Sequence, residues 1–215
     1  MKFLILGAAG QIAEKLTDTL LKETDHDVVL YARNGKQRII VSDSNREEII
    51  EGDFLDTDLL SEAMKNVDAV YLNDMGNAQA VKNVIKAMKN NDVKRIIGAS
   101  ILGIYNEVGG EFGEWNNAMI GSSPRMEEQK KAAQLIETSD LDYTLLRLTW
   151  LYNDSTNLSY QVTKKGEPFI GAQVTREAVA RTIADIIEDH ELIYNRESLG
   201  ISEIGSEKLD KPSFY

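Results

Sequence analysis

The chain of 215 residues has no cysteine, which excludes disulfides, thiolate nucleophiles and cysteine-ligated metal. Its only histidines are His26 and His190, too few for a histidine-built zinc site. Nor does it hold a run approaching the roughly 18 apolar residues that a membrane-crossing helix needs. The apolar stretch from Phe3 to Ala9 is too short for a signal-peptide core, and Gln11, Glu14 and Lys15 follow it with helical periodicity. A cytoplasmic location is expected. Positive charge is scarce as well: 24 basic residues stand against 35 acidic ones, a net charge of −11 spread along the chain. Such a field repels nucleic acid and anionic lipid, so neither is expected as a partner. An anionic ligand would need a locally positive site or a row of free backbone N–H groups.

What is present is globular in character, 42% hydrophobic and 27% charged. Short apolar runs alternate with amphipathic segments. Residues 2–6, 28–31, 69–72, 95–99 and 143–146 read as buried strands. A segment carrying Ile12, Leu16 and Leu20 reads as a helix, as do residues 59–65, 79–89, 127–138 and 175–188. Residues 38–41 and 48–50 read as an extra strand and the third parallel strand. Nearly all-apolar strands alternating with helices predict a Rossmann-type, doubly wound α/β fold, its mainly parallel sheet covered on both faces. One domain over residues 1–215 is expected. Two irregular stretches, about 101–124 and 151–173, fall after strands, where open parallel sheets bind ligands, and are expected to form small substrate-side elements.

The sharpest motif is Leu6-Gly7-Ala8-Ala9-Gly10-Gln11-Ile12-Ala13, joining a strand directly to a helix. Gly7 permits the tight turn, and Gly10 leaves room for a diphosphate to reach backbone. Ala9, Gln11 and Ile12 complete the turn, at a helix start whose free N–H groups and dipole favour anions. Ala13 is small enough for helix and strand to pack closely. A dinucleotide is the expected ligand. The second strand ends Tyr31-Ala32-Arg33-Asn34, without the acidic residue that holds ribose hydroxyls in NAD sites. A guanidinium at Arg33, with Lys36 and Arg38 nearby, suits a 2′-phosphate, so NADP(H) is expected over NAD(H).

These motifs resemble the atypical short-chain dehydrogenase/reductase superfamily, and within it the NmrA-like, NAD(P)H-binding group. The likeness rests on Gly7-x-x-Gly10-x-x-Ala13, Arg33, Glu51–Asp56, Ile97–Ser100, Leu141–Arg147 and Val174–Ala180, in that order along nearly the whole chain. It implies that Asp53 and Phe54 lie beside the adenine. It also implies that the Asn73–Gly76 loop, with Met75, runs near the middle of the cofactor. Ser100 would stand at the superfamily's catalytic serine, near the nicotinamide. The superfamily's Tyr-x-x-x-Lys falls on the helix starting near Glu127. Matching Ala133 and Gln134 to the pair after the lysine selects Lys130 and puts Met126 at the tyrosine position; the neighbouring frame gives Lys131 and Glu127. Neither frame supplies a phenol. Tyr105, in the loop after Ser100, is the candidate substitute acid, and Trp150 and Tyr152 are candidate pocket walls.

Two functions follow as expectations. One is an NADPH-dependent oxidoreductase acting on a small acceptor such as a quinone, flavin or reactive carbonyl. The other is a non-catalytic, NADP(H)-sensing regulatory protein of NmrA-like type, favoured by the missing tyrosine. A nucleotide-sugar epimerase would need that tyrosine and a larger C-terminal substrate domain. Exposed helix faces leave a protein partner or a homodimer open. The polar tail 198–215 either completes the sheet edge or lies over the pocket.

Overall fold

The computed structural model describes residues 1–215. The elements along the chain are β1 (Lys2–Leu6), α1 (Gln11–Glu23), β2 (Asp27–Ala32), α2 (Gly35–Arg38), β3 (Glu47–Glu51) and α3 (Thr57–Ala63). Then come β4 (Ala69–Leu72), α4 (Ala78–Asn90), β5 (Arg95–Ile101), α5 (Gly110–Asn116), α6 (Pro124–Glu137) and β6 (Asp142–Leu148). The chain finishes with β7 (Trp150–Tyr152), β8 (Gln161–Lys164), β9 (Gln173–Thr175), α7 (Arg176–Ile187) and β10 (Glu197–Ser202).

Eight strands form one sheet in the order β3-β2-β1-β4-β5-β6-β10-β8. All neighbours are parallel except β8, which runs antiparallel to β10. The expected doubly wound fold is therefore the observed one. Its core is split by the sheet. On one face Leu16 and Leu20 of α1 meet Val179 and Ile183 of α7 over Phe3, Ile5 and Leu30. On the other, Leu60, Val84, Met88 and Ile136 of α3, α4 and α6 cover Leu4, Leu6, Val70 and Leu145. Central strands are apolar on both sides because helices cover both sides.

Several elements differ from expectation. Residues 38–41 form no strand: Asn34, at φ 53°, starts the short helix α2 instead, and Ile40 is almost fully exposed. The stretch after β5 contains α5 and a π-helical turn at Asn117–Gly121. Helix α6 starts three residues earlier than its apolar pattern suggests. Pro124 takes the first helical position, and Ser123 Oγ accepts from Met126 N at 3.2 Å. In the tail, β10 extends the sheet beside β6, whereas Tyr215 folds back onto Trp115 and Trp150. No helix is long and apolar enough to cross a membrane.

Candidate functional site

Sheet order reverses between β1 and β4, and the carboxyl ends of β1 to β5 open there onto a groove. Gly7 leaves β1 at φ 84°, and its N–H and that of Ala8 donate to Tyr31 O at 2.9 and 3.2 Å. Gly10 is the N-cap of α1 and offers no side-chain cap, so the first amides of the helix face the groove unsatisfied. A Cβ at Gly10 would overlap Asn73 Nδ2 and approach Gly7 O at 3.2 Å. Asn73 is held in place from both ends: its Nδ2 donates to Gly7 O at 3.4 Å, and its Oδ1 accepts from Tyr71 OH at 2.9 Å. Burial pushes the Tyr71 phenol well above its ordinary pKa, so it stays a donor.

This turn walls a cavity of about 420 Å³, shared with Ala32, Arg33, Arg38, Asp53, Phe54 and Leu55. Free helix amides beside a bare glycine fit a diphosphate, and the cavity is large enough for a nucleoside. Arg33 is highly exposed and touches Asp53 only loosely, Nε to Oδ2 at 3.9 Å. Arg38, read from sequence only as background charge, lies across the turn. Its guanidinium donates to Ala9 O at 3.3 Å and Arg33 O at 3.4 Å. Phe54 flanks Gly7 and stacks near Tyr31. Met75 is fully buried against Gly98, and Gly76 lies under Arg125, so neither joins the lining.

A second cavity, about 260 Å³, continues the groove past Asn73 and Asp74. Gln11, Ile12, Ser100, Arg125, Gln129 and Arg176 are among its walls. Ser100 is buried, and its Oγ donates to Gln129 Oε1 at 3.1 Å. The α6 face that meets Ser100 thus carries Arg125 and Gln129, not the Met126–Lys130 pair selected by motif alignment. Lys130 is a correction: it pairs with Glu127 at 3.2 Å and lines a separate hollow between α6 and α5. A one-residue rotation on a helix moves a side chain by about 100°, enough to change cavities.

Tyr105 is a second correction. Its OH donates to Glu137 Oε1 at 2.7 Å and lies 3.2 Å from Ser198 Oγ, away from the Ser100 cavity. Burial pushes its pKa far above the ordinary phenol value. Tyr105→Phe should cost about 1 kcal/mol of stability through the lost hydrogen bond and leave any turnover within about twofold. Urea unfolding and steady-state rates check both. Trp150 and Tyr152 do not wall the cavity either. Trp150 Nε1 donates to Asn116 Oδ1 at 3.0 Å, and Tyr152 OH donates to Glu203 Oε2 at 2.6 Å. Desolvation, helped by Glu203, raises Tyr152 to about 12.

A mainly parallel eight-stranded α/β sheet with a glycine turn at its switch point defines a dinucleotide-binding protein of the Rossmann class. The family model described as NAD(P)H-binding matches residues 7–190, and the chain belongs to that family, within the short-chain dehydrogenase/reductase superfamily. A solved short-chain dehydrogenase/reductase from Veillonella parvula, in complex with NADP, is 38% identical over 99% of both chains, with a TM-score of 0.95. A Rossmann-fold NAD(P)-binding family protein from Shigella flexneri is 35% identical over 100% of this chain and 98% of its own, with a TM-score of 0.80. Among curated proteins, an uncharacterized sugar epimerase of Bacillus subtilis is 22% identical over 88% of this chain and 89% of its own.

Proposed function

We propose that this chain is a cytoplasmic, one-domain oxidoreductase that uses NADPH to reduce a small acceptor such as a quinone, flavin or reactive carbonyl. The observation that carries this reading is the continuous groove from Arg33 and Arg38, past the amides of α1, to Ser100. When bound, the cofactor supplies a hydride, and solvent supplies the accompanying proton. Ser100 can release Gln129 and donate to the acceptor oxygen as it becomes electron-rich. Asn73 and the first amides of α1 hold the diphosphate, while Asp53 and Phe54 flank the adenosine. Arg33 and Arg38 favour a 2′-phosphate through charge-assisted hydrogen bonds.

Arg33→Glu should weaken NADPH by at least about 30-fold, and NADH by less than about threefold. Calorimetry with both coenzymes decides this; equal weakening of the two contradicts the 2′-phosphate role. Activity is tested by following NADPH oxidation with menadione, FMN and methylglyoxal. Turnover of any of them, lost in Arg33→Glu, supports catalysis.

A second reading, an NmrA-like sensor of the NADP(H) state that acts on a protein partner, is favoured by one feature. No phenol or imidazole lines the Ser100 cavity, so a ready proton donor is missing there. Tight NADPH binding without turnover across that panel would support the sensor. An epimerase is disfavoured by the same missing phenol.

A further inference from the structure

The cavity beside Ser100 is unlike the rest of this acidic chain. Two arginines, Arg125 and Arg176, face it. Arg176 opens α7, and no carboxylate lies within 4.0 Å of its guanidinium, whose Nη1 donates only to Asn153 Oδ1 at 3.0 Å. Its neighbour Glu177 is already engaged by Lys15 at 2.7 Å and does not line the cavity. Arg125 is partly neutralised by Asp74, at 2.9 Å, with more than half of its side chain still exposed. The three charged side chains of the lining therefore leave it net positive in a protein of net charge −11. Ile12, Leu148 and Leu151 also line it, an apolar part of the wall.

We propose that the acceptor is an anion, an apolar body carrying a carboxylate, which Arg176 binds while Arg125 assists. The proposal rests on the oxidoreductase reading above and names its substrate class. A guanidinium that no protein carboxylate satisfies, aimed into a partly apolar cavity, is matched by an acid on the ligand, through two parallel N–H···O bonds. The cofactor's own diphosphate is the competing anion. Asn153 links Arg176 to the first residue of α1: its Nδ2 donates to Gln11 Oε1 at 3.2 Å, and its Oδ1 accepts from Arg176. Arg176 lines the Ser100 cavity and not the cavity beside Arg33.

The test is calorimetry on protein loaded with NADP+, titrated with benzoate, 2-naphthoate and anthraquinone-2-carboxylate, each beside its carboxamide. At least one carboxylate should bind about tenfold or more tightly than its amide. Arg176→Gln should erase that preference and leave NADP+ affinity within about twofold, whereas Arg125→Gln should reduce the preference by only about threefold, because Asp74 already screens it. Arg176→Lys, keeping the charge without the fork, should retain part of it. Wild-type protein that favours no carboxylate over its amide overturns the proposal. So does an Arg176→Gln variant that loses NADP+ as steeply as it loses the acid, since the guanidinium would then serve the cofactor. Failure of NADP+ to bind at the loading step would be seen first and would remove the oxidoreductase reading itself.

Discussion

Gly10→Val should leave the protein folded and weaken NADPH by at least about 100-fold, or roughly 2.7 kcal/mol. The two halves of that result have separate causes. In the free protein the new Cβ overlaps the amide end of Asn73 and crowds Gly7 O, so Asn73 must give up its bond to Gly7 O, a local cost that stays well below the stability of the fold. Gly10 lies at φ −87°, ψ 150°, a conformation that valine adopts readily, so the backbone carries no strain. The melting temperature should therefore fall by only about 2–5 °C, the cost of displacing Asn73. A bound diphosphate is different, because the valine methyls fill the space through which it reaches the amides of Gln11 and Ile12. Alanine at the same position should fall between. Calorimetry and a thermal melt on both variants check this, and undiminished NADPH affinity in Gly10→Val would contradict the assigned cradle.

The second large effect is expected far from the groove, at Arg147 of β6. Its side chain is completely buried and Glu107 nearly so, with Nη1 to Oε1 at 2.9 Å. Nη2 donates to Thr163 O and Ser198 O, while Glu107 accepts from the amides of Gly103 and Tyr105. The rings of Tyr105 and Phe169 lie against the guanidinium at 5.5 and 6.0 Å. This knot ties β6, β8 and β10 to the loop that follows Ser100. Arg147→Ala leaves a carboxylate buried without its counter-ion, and should destabilise the fold by about 3–5 kcal/mol, roughly 10 °C in melting temperature. The double change Arg147→Met with Glu107→Gln removes both charges and keeps most of the volume, so it should recover more than half of that loss. Urea titration of both variants measures it. A double variant no more stable than the single one would show that lost packing, not the stranded charge, sets the effect.

Periodicity made the frame of the fold legible. Strands β1, β2, β4, β5 and β6 are buried on both sides and largely apolar, and the helices repeat leucine, valine and isoleucine at 3.6 spacing. The edges were harder to read. The Ile39–Val41 run imitates a strand, yet Asn34 in the left-handed region sends the chain into a helical turn and leaves Ile40 in solvent. Strands β7 and β9 pair only with one another over three residues, too short for a pattern to emerge. Strand β10 takes its place by pairing with β6, a contact no local pattern encodes.

The site divides the same way. The glycine turn and Arg33 were readable because each serves a local need, a tight turn and a positive strand end. Arg38 crossing back to Ala9 O, and Asn73 pinned between Tyr71 and Gly7, are tertiary contacts. The α6 face was misread because alignment fixes residues along a helix, while burial fixes its rotation. Ser100 buried against Gln129 turns Arg125 to the groove and Lys130 away from it.

The most direct test of the whole account is an NMR titration of isotope-labelled protein with NADP+, following backbone amide resonances. Gln11, Ile12 and Ala13 should shift most, as their N–H groups, which have no backbone acceptor, take phosphate oxygens, with Arg33 and Asn73 following. Saturating NADP+ that left those three amides unmoved would contradict it.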